Sequence, residues 1–373
     1  MRKIPFVIFL TAILNACQPA TSTRDYDHPY KIITVDAENP LDETRKDAQV
    51  VINIDDQPEL IAGAFTVRSN EVQWPAQYYV EALIIVLDSM RAREKRTITV
   101  YYNPAYFDKY GNPTSKNRKR TQVYGELALE SDRVGYRLHP NHNTIDVLGK
   151  RGSDMMLMGI DQNHTYNQMQ SWGMDLIKTG NSLGIGSIAL WNDTTAVTIT
   201  NVDSVRYTLA EDGDLYSAGQ AKYWGWKTPH GRLNVLSQLS LYGGSRWVNH
   251  FVNTGVNINN LCTGIAKHRS AKLYKSTGGK SQWGYVATFG KQSLNNDNLG
   301  LAVIFDPADF VAFREDEVNH LVQMKTSLHA VSYYFGAAWE MEANGIKSES
   351  EFIKWVERSA RELANPVIVH GKE

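Results

Sequence analysis

The densest gathering of chemically useful side chains lies between Asp161 and Trp191. It contains Asn163-His164-Thr165-Tyr166-Asn167, then Ser171-Trp172-Gly173-Met174-Asp175 and, further on, Lys178, Asn181 and Ser182. Histidine and tyrosine can move protons, lysine can meet an anion, and tryptophan offers a stiff amphipathic face to a sugar ring. Glycine content and the lack of any period predict a long ordered loop, the usual carrier of binding residues on a rigid scaffold. A second group is Trp224-Gly225-Trp226-Lys227. A third is Arg246-Trp247-Val248-Asn249-His250, in which Arg246 and His250 share one face of an extended strand. The same residue types also serve structure, since aromatics fill cores and buried histidines satisfy backbone groups.

Several short motifs fail on their context. Gly180-Asn181-Ser182-Leu183-Gly184 matches a nucleophile elbow, but a short, Gly-led, strand-like run follows (Gly186 to Trp191) where a helix is required. Gly184-Ile185-Gly186-Ser187-Ile188-Ala189 lacks the alternating strand and helix pattern of a dinucleotide fold. Gly278-Gly279-Lys280-Ser281 resembles the end of a phosphate loop, yet Tyr274 stands where the first glycine belongs. His139 and His142 are three residues apart, a spacing that does not share a strand face, and no carboxylate completes a metal-ligand pattern. No metal and no cofactor are therefore expected.

The scaffold that must position these groups reads as mainly β. Short β-like runs with intervening turn residues include Gln49–Ile54, Leu60–Arg68, Thr97–Tyr102, Thr121–Leu129 and Val134–Leu138. Thr195–Thr200 and Ser204–Leu209 read as neighbouring antiparallel strands, and Leu233–Leu241 with Arg246–Asn253 as a hairpin around Gly243-Gly244. Trp283–Phe289, Leu299–Phe305, His320–Thr326 and Ala330–Trp339 continue the series. The one clear amphipathic helix is C-terminal. Ser348 and Glu351 form a capping box, and Phe352, Trp355, Val356, Ala360 and Leu363 recur at helical spacing up to Asn365-Pro366. Of the 373 residues 42% are hydrophobic and 21% charged, enough for a large core. A formal net charge of −1 gives no overall basic field, so nucleic acid is not an expected partner. No linker divides the body, which predicts one large antiparallel β-sandwich domain over residues 45–370, the basic run Lys116–Arg120 being a solvated loop.

The N-terminus reads as an address. Arg2 and Lys3 precede an apolar run from Ile4 to Leu14, too short to span a bilayer, and Leu14-Asn15-Ala16-Cys17 matches a bacterial lipobox. Residues 1–16 are thus expected to be a lipoprotein signal peptide, Cys17 the lipidated N-terminus, and residues 17–44 a polar tether. This predicts a cell-envelope lipoprotein, at the outer membrane facing the periplasm or at the cell surface. Cys262 is left without a disulfide partner and reads as a small buried hydrophobe.

The run from Trp172 to Gly184, with Ile145-Asp146-Val147-Leu148-Gly149-Lys150, Ser245-Arg246-Trp247 and Tyr333-Tyr334-Phe335-Gly336-Ala337-Ala338-Trp339-Glu340, resembles an uncharacterised-domain family of galactose-mutarotase-like β-sandwiches from polysaccharide-utilisation loci. The resemblance covers about residues 45 to 365 and includes the type of an ulvan oligosaccharide dehydratase. It implies loss of water from a non-reducing-end glucuronic or iduronic acid, giving a 4,5-unsaturated uronate, with a sulfated uronate-containing oligosaccharide as partner. Such an elimination needs a cation for the carboxylate, a base for the C5 proton and an acid for the departing 4-hydroxyl. Arg246 is the expected carboxylate partner with Arg151 in reserve. His164 and Tyr166 are the expected base and acid, with His250 and His142 able to replace either. Trp172, Trp224 and Trp247 are candidate sugar platforms, Asn181 a further contact, and Lys178 or Lys227 a sulfate partner. A polysaccharide lyase would use the same enolate chemistry, and a non-catalytic glycan-binding lipoprotein is the alternative of another class. The anchor is testable without knowing the reaction: Cys17→Ser should move the protein into the soluble periplasmic fraction, and a variant that stays on membranes after a salt wash would refute lipidation.

Overall fold

The computed structural model describes residues 31–54, 64–70, 72–103, 121–124, 127–140, 142–160, 167–229 and 231–371. The signal peptide, the lipobox, the basic run Lys116–Arg120 and the pair His164 and Tyr166 lie outside the described residues.

In chain order the N-terminal strands are β1 (Lys31–Glu38), β2 (Arg45–Asn53), β3 (Ala64–Ser69), β4 (Val72–Trp74), β5 (Ala76–Tyr79), β6 (Ala82–Met90) and β7 (Lys95–Asn103). There follow β8 (Thr121–Tyr124), β9 (Ala128–Ser131), β10 (Val134–His139), β11 (Thr144–Lys150), a single helical turn α1 (Leu157–Ile160), β12 (Gly173–Asp175), β13 (Ala189–Asn192) and β14 (Thr195–Thr198). The long strands come next: β15 (Ser204–Asp212), β16 (Tyr216–Thr228), β17 (Gly231–Tyr242), β18 (Trp247–Asn253), β19 (Leu261–Ala266) and β20 (Ala271–Ser276). The chain ends with β21 (Gly284–Lys291), β22 (Asn298–Phe305), β23 (Phe310–Glu315), β24 (Asn319–Met324), β25 (Ala330–Trp339), α2 (Glu349–Ala364) and β26 (Ile368–Gly371).

Among the described residues these strands form five sheets. The largest runs β15-β16-β17-β18-β25-β22-β21-β20. Two five-stranded sheets, β12-β11-β10-β9-β8 and β14-β13-β19-β24-β23, supply residues to the core beneath its inner face. That core unites Tyr136 and Val147 with Val235, Leu239, Val322 and Phe335. The fold is therefore a large antiparallel β-sandwich with a C-terminal helix, as the turn-punctuated strand pattern predicts.

The N-terminal strands build a second core. Sheets β26-β1-β7-β3-β4 and β2-β6-β5 enclose Val35, Ile52, Phe65, Ile85 and Val100. Strand β1 falls inside residues 17–44, where the sequence suggested only a tether. Val35 and Ala37 alternate inward and are buried, so this stretch belongs to the fold. Ile84 and Val86 pack on Tyr216 and Ala218 of the large sheet. Gln77 seals the junction, donating to Glu211 Oε1 at 2.8 Å and accepting from Leu215 N and Tyr216 N at 2.9 Å each.

Two sequence expectations change. Thr195–Thr200 and Ser204–Leu209 do not pair with each other. β14 pairs with β13 and β15 with β16, because the intervening residues carry the chain from one sheet to the next. The run Thr121–Leu129 is two strands, and Leu127 turns at φ 72° before the second. The hairpin β17–β18 forms as expected, as does the capping box at Ser348, whose side chain accepts from Glu351 N. Helix α2 lies on the outer face of the large sheet, burying Phe352 against Phe289 with ring centroids 5.2 Å apart. Gly300 makes room for that ring, since a Cβ there would lie 2.1 Å from Phe352 Cε2. No helix among the described residues is long and apolar enough to cross a membrane. Phe352→Ala should destabilise the protein by about 3–5 kcal/mol in denaturant titration. Ser348→Ala, which removes only the cap, should cost about 1 kcal/mol.

Candidate active site

Strand β11 alternates. Ile145 and Val147 enter the core, which turns Thr144, Asp146, Leu148 and Lys150 to the other face of their sheet. Antiparallel register sets Arg137 of β10 directly opposite Asp146, and Asp175 of β12 opposite Leu148. Arg137, His139, Asp146 and Asp175 thus converge on one face. Arg137 Nη2 donates to Asp146 Oδ2 at 2.7 Å and lies 3.9 Å from Asp175 Oδ2. His139 Nε2 meets the same Asp146 oxygen at 2.7 Å. The side chains of Asp146 and Asp175 are only 2% and 8% exposed, whereas that of His139 is 34% exposed and opens the cluster to solvent.

Burial beside a second carboxylate controls the Asp175 proton. The Asp175 carboxyl is pushed up to about 7, first by desolvation and then by the Asp146 charge, with Arg137 pulling the other way. A carboxylic acid near half-protonation at neutral pH, an imidazole oriented by a carboxylate and a fixed guanidinium are an acid, a base and a charge stabiliser. The buried oxygens Asp146 Oδ1 and Thr144 Oγ1, on the same face, have no hydrogen-bond partner among the described residues.

The neighbouring chain is pinned over this face by a buried ion pair. Lys150 Nζ donates to Glu130 Oε2 at 2.6 Å and to Ser131 O at 2.7 Å. Glu130 in turn accepts from Met156 N and Leu157 N at 2.8 Å each, tying down the start of α1. Ile160 belongs to the apolar patch around Leu148, and Trp172 packs against it.

The structure places the sequence-chosen residues among those it describes in four settings. Arg151, Trp172, Lys178 and Asn181 lie on segments adjoining β11 and β12, and His142 is exposed at the β10–β11 turn. Arg246 and His250 are elsewhere. Arg246 Nε donates to Glu342 Oε1 at 2.9 Å and its guanidinium carbon stands 6.0 Å from the Trp355 ring centroid, while Trp247 stacks on Trp355 at 4.4 Å. These contacts clamp α2 to the sheet. His250 is 1% exposed in the main core. Its Nε2 is 2.8 Å from Ser237 Oγ and its Nδ1 lies 3.0 Å from Gly186 O and 2.9 Å from Tyr333 Oη. Burial pushes its pKa down to about 4, so it is neutral. Beside it a cavity of ≈ 10 Å³, lined by Asn143, Tyr223 and Ser237 among others, has room for about one water. Trp224 and Lys227 are on the large sheet. Ser182 is buried and donates to Thr179 O at 2.6 Å, and burial raises the Cys262 thiol.

Arg137, His139 and Asp146 were not among the sequence-chosen site residues, and Asp175 appeared only within the Trp-Gly-Met-Asp run. The available signal was a charged residue at every second position of adjoining strands: Arg137 and His139 on β10, Asp146 and Lys150 flanking Leu148 on β11.

The chain belongs to the family described as Domain of unknown function (DUF4861), whose model matches residues 37–369. No curated protein matches the sequence. Among solved structures it is similar to a protein in the glycosyl hydrolase family 38 from Enterococcus faecalis, with 8% identity and a TM-score of 0.55 over 93% of this chain and 48% of that one. An alpha-mannosidase from Enterococcus faecalis V583 gives 8% identity and a TM-score of 0.54 over 93% and 47%. At that identity the likeness is one of fold, and the chain spans about half the length of the solved structures it matches.

The raised Asp175 carboxyl has a consequence for stability. In the unfolded chain this group titrates near its ordinary 3.8, so between there and about 7 the folded protein holds a proton that the unfolded chain has released. Its contribution is full below about 4 and is lost as pH rises toward and through 7. Asp175→Asn, which cannot ionise, should gain stability over the wild type progressively across that window, measured as the difference in thermal midpoint at pH 5 and pH 8. Parallel profiles would show that Asp175 is ionised throughout.

Proposed function

We propose that this protein is a carbohydrate-processing enzyme that eliminates water from the terminal uronate of a sulfated, uronate-containing oligosaccharide such as those derived from ulvan. The observation that carries the reading is the cluster of Arg137, His139, Asp146 and Asp175, which combines the three functions such an elimination needs. The likeness of fold to a glycosyl hydrolase family 38 protein and to an alpha-mannosidase supports a carbohydrate as substrate.

In this mechanism His139 is held through Nε2 by Asp146, leaving Nδ1 to take the C5 proton of the sugar. The electron pair of that C–H bond forms the C4–C5 double bond as the C4–O bond breaks. Asp175, protonated, delivers its proton to the departing hydroxyl, which leaves as water. Arg137 faces the charge that builds on the uronate carboxylate during proton removal, and removing such a donor typically costs about 3–4 kcal/mol of barrier. Solvent returns the catalyst to its starting state by taking the proton from His139 and resupplying Asp175.

The purified protein incubated with ulvan oligosaccharides should give a product lighter by one water with the chain length unchanged, together with near-ultraviolet absorbance of the conjugated acid. His139→Ala and Asp175→Asn should each lower the rate by about 10² or more while the fold is retained. A shortened chain would identify a lyase instead. No change in mass, or variants with wild-type rates, would refute the proposed chemistry.

A further inference from the structure

The outer face of the large sheet carries a feature that the acid/base cluster does not use. Residues two apart on a regular strand point the same way, yet Trp224 is 37% exposed while Trp226 is 1% exposed. The cause is a β-bulge: the register of β16 against β17 slips between Tyr223 and Trp226, and Gly225 sits in the left-handed region at φ 66°. Gly225 N donates to Asn234 Oδ1 at 2.9 Å, and Trp224 O accepts from Asp203 N at 2.8 Å, so the irregularity is fixed by hydrogen bonds on both sides. Bulges re-aim side chains: this one sends Trp226 into the core, whereas Trp224 stays on the outer face with Lys222.

The residues around that indole are basic and are set against one another. Arg206 of β15 lies directly opposite Lys222 of β16, and Lys227 of β16 directly opposite Arg232 of β17. All four are exposed. Like charges directly opposite across a sheet are destabilising; Asp203, whose carboxylate is drawn down by Arg232 and then by Lys227, offsets the second pair, so the first is the one left without an anion among the described residues. Arg232 pairs with Asp203. Arg206 and Lys222 form no ion pair among the described residues. Farther along the same face, two strands away, Phe251 is only partly buried and packs in none of the apolar clusters among the described residues.

We propose that this face is a second binding surface, for an anionic glycan chain: Trp224 stacks on a sugar ring, Arg206 and Lys222 take its sulfate or carboxylate groups, and Phe251 extends the platform. The inference rests on the reading of this protein as one that acts on carbohydrate. The surface is separate from the candidate active site, because the strands carrying the acid/base cluster and the strands carrying Trp224 turn their opposite faces to the shared core. Two stacked sheets of about 10 Å separation lie between the two surfaces.

The test is affinity electrophoresis of the full-length protein in gels containing ulvan, neutral xylan or no polymer. Ulvan should retard the wild type, xylan should not, and added salt should weaken the effect because the pairs are exposed. Trp224→Ala and the double variant Arg206→Gln/Lys222→Gln should each weaken ulvan binding by about tenfold or more. Asp175→Asn should bind as the wild type does. The proposal is overturned if ulvan fails to retard the wild type, if the surface variants bind normally, or if Asp175→Asn alone abolishes retardation. It is also overturned if a single-stranded oligothymidylate displaces ulvan and depends on the same residues as tightly, which would mark a nucleic-acid surface. Retardation by ulvan without any dehydration would refute the catalytic reading and leave this one standing.

Discussion

One buried carboxylate organises the candidate active site. Asp146 sits on a strand whose alternate residues, Ile145 and Val147, are committed to the core, so its side chain has no route to bulk water and its charge must be met where it stands. Arg137 and His139 meet it through a single oxygen, Oδ2. An isolated buried charge is expensive, and a partner at hydrogen-bond distance offsets that cost only when the geometry is good. Everything else at the site follows from this constraint. Arg137, held by Asp146, is too far from Asp175 for a hydrogen bond and neutralises it only in part. Asp175 therefore keeps its proton toward neutrality, and His139 has one ring nitrogen engaged and one left over.

Strand β11 separates two polar centres of opposite character. On its inner side the cavity near Asn143 is bordered by Ser237, Tyr223 and His250, all uncharged, with every His250 nitrogen engaged. On its outer side stand two carboxylates, a guanidinium and an imidazole. Burial explains the division. In the closed core, burial lowers the pKa of His250 and keeps it neutral, whereas the outer cluster reaches solvent through His139 and can sustain ionised groups. A histidine in the core is thus a structural hydrogen-bonding hub, and one at the edge of a carboxylate cluster is available for proton transfer, although both are single histidines on strands.

That distinction explains what was legible beforehand. The strand series, the β17–β18 hairpin and the capped helix were readable because each is written in local chemistry: two-residue alternation, paired glycines, and Ser348 three residues before Glu351. Pairing between distant strands was not, and so β14 and β15, adjacent in sequence, went to different sheets. The site suffered from the same gap. His250 and Arg246 share a strand with Trp247 and look like chemistry in one dimension, but their partners Tyr333, Glu342 and Trp355 come from far along the chain. Arg137 and Asp146 are nine residues apart on a tight hairpin, and the alternation of charged with core residues along its two strands is visible in the sequence. The Trp224 bulge had a sequence trace as well: a glycine between two tryptophans, where a regular strand would have turned both rings to one side.

The separation of the two surfaces constrains how a substrate can use them. A single terminal sugar cannot touch Trp224 and Asp175 at once, because the packed core of the sandwich lies between them. In the proposed reaction the basic tryptophan face would therefore add nothing to orientation at the reacting carbon, which would have to come from Arg137 and the segments next to β11 and β12. What the proposed second surface would supply is proximity: holding a polymer or its fragments near the protein would raise the local concentration of chain ends. The two surfaces then make separable demands. The first needs a dry, preorganised set of charges whose protons are held by burial. The proposed second surface needs exposed charges without ion pairs, which Arg206 and Lys222 present through regular strand alternation, while the Gly225 bulge sends Trp226 into the core and leaves Trp224 beside them.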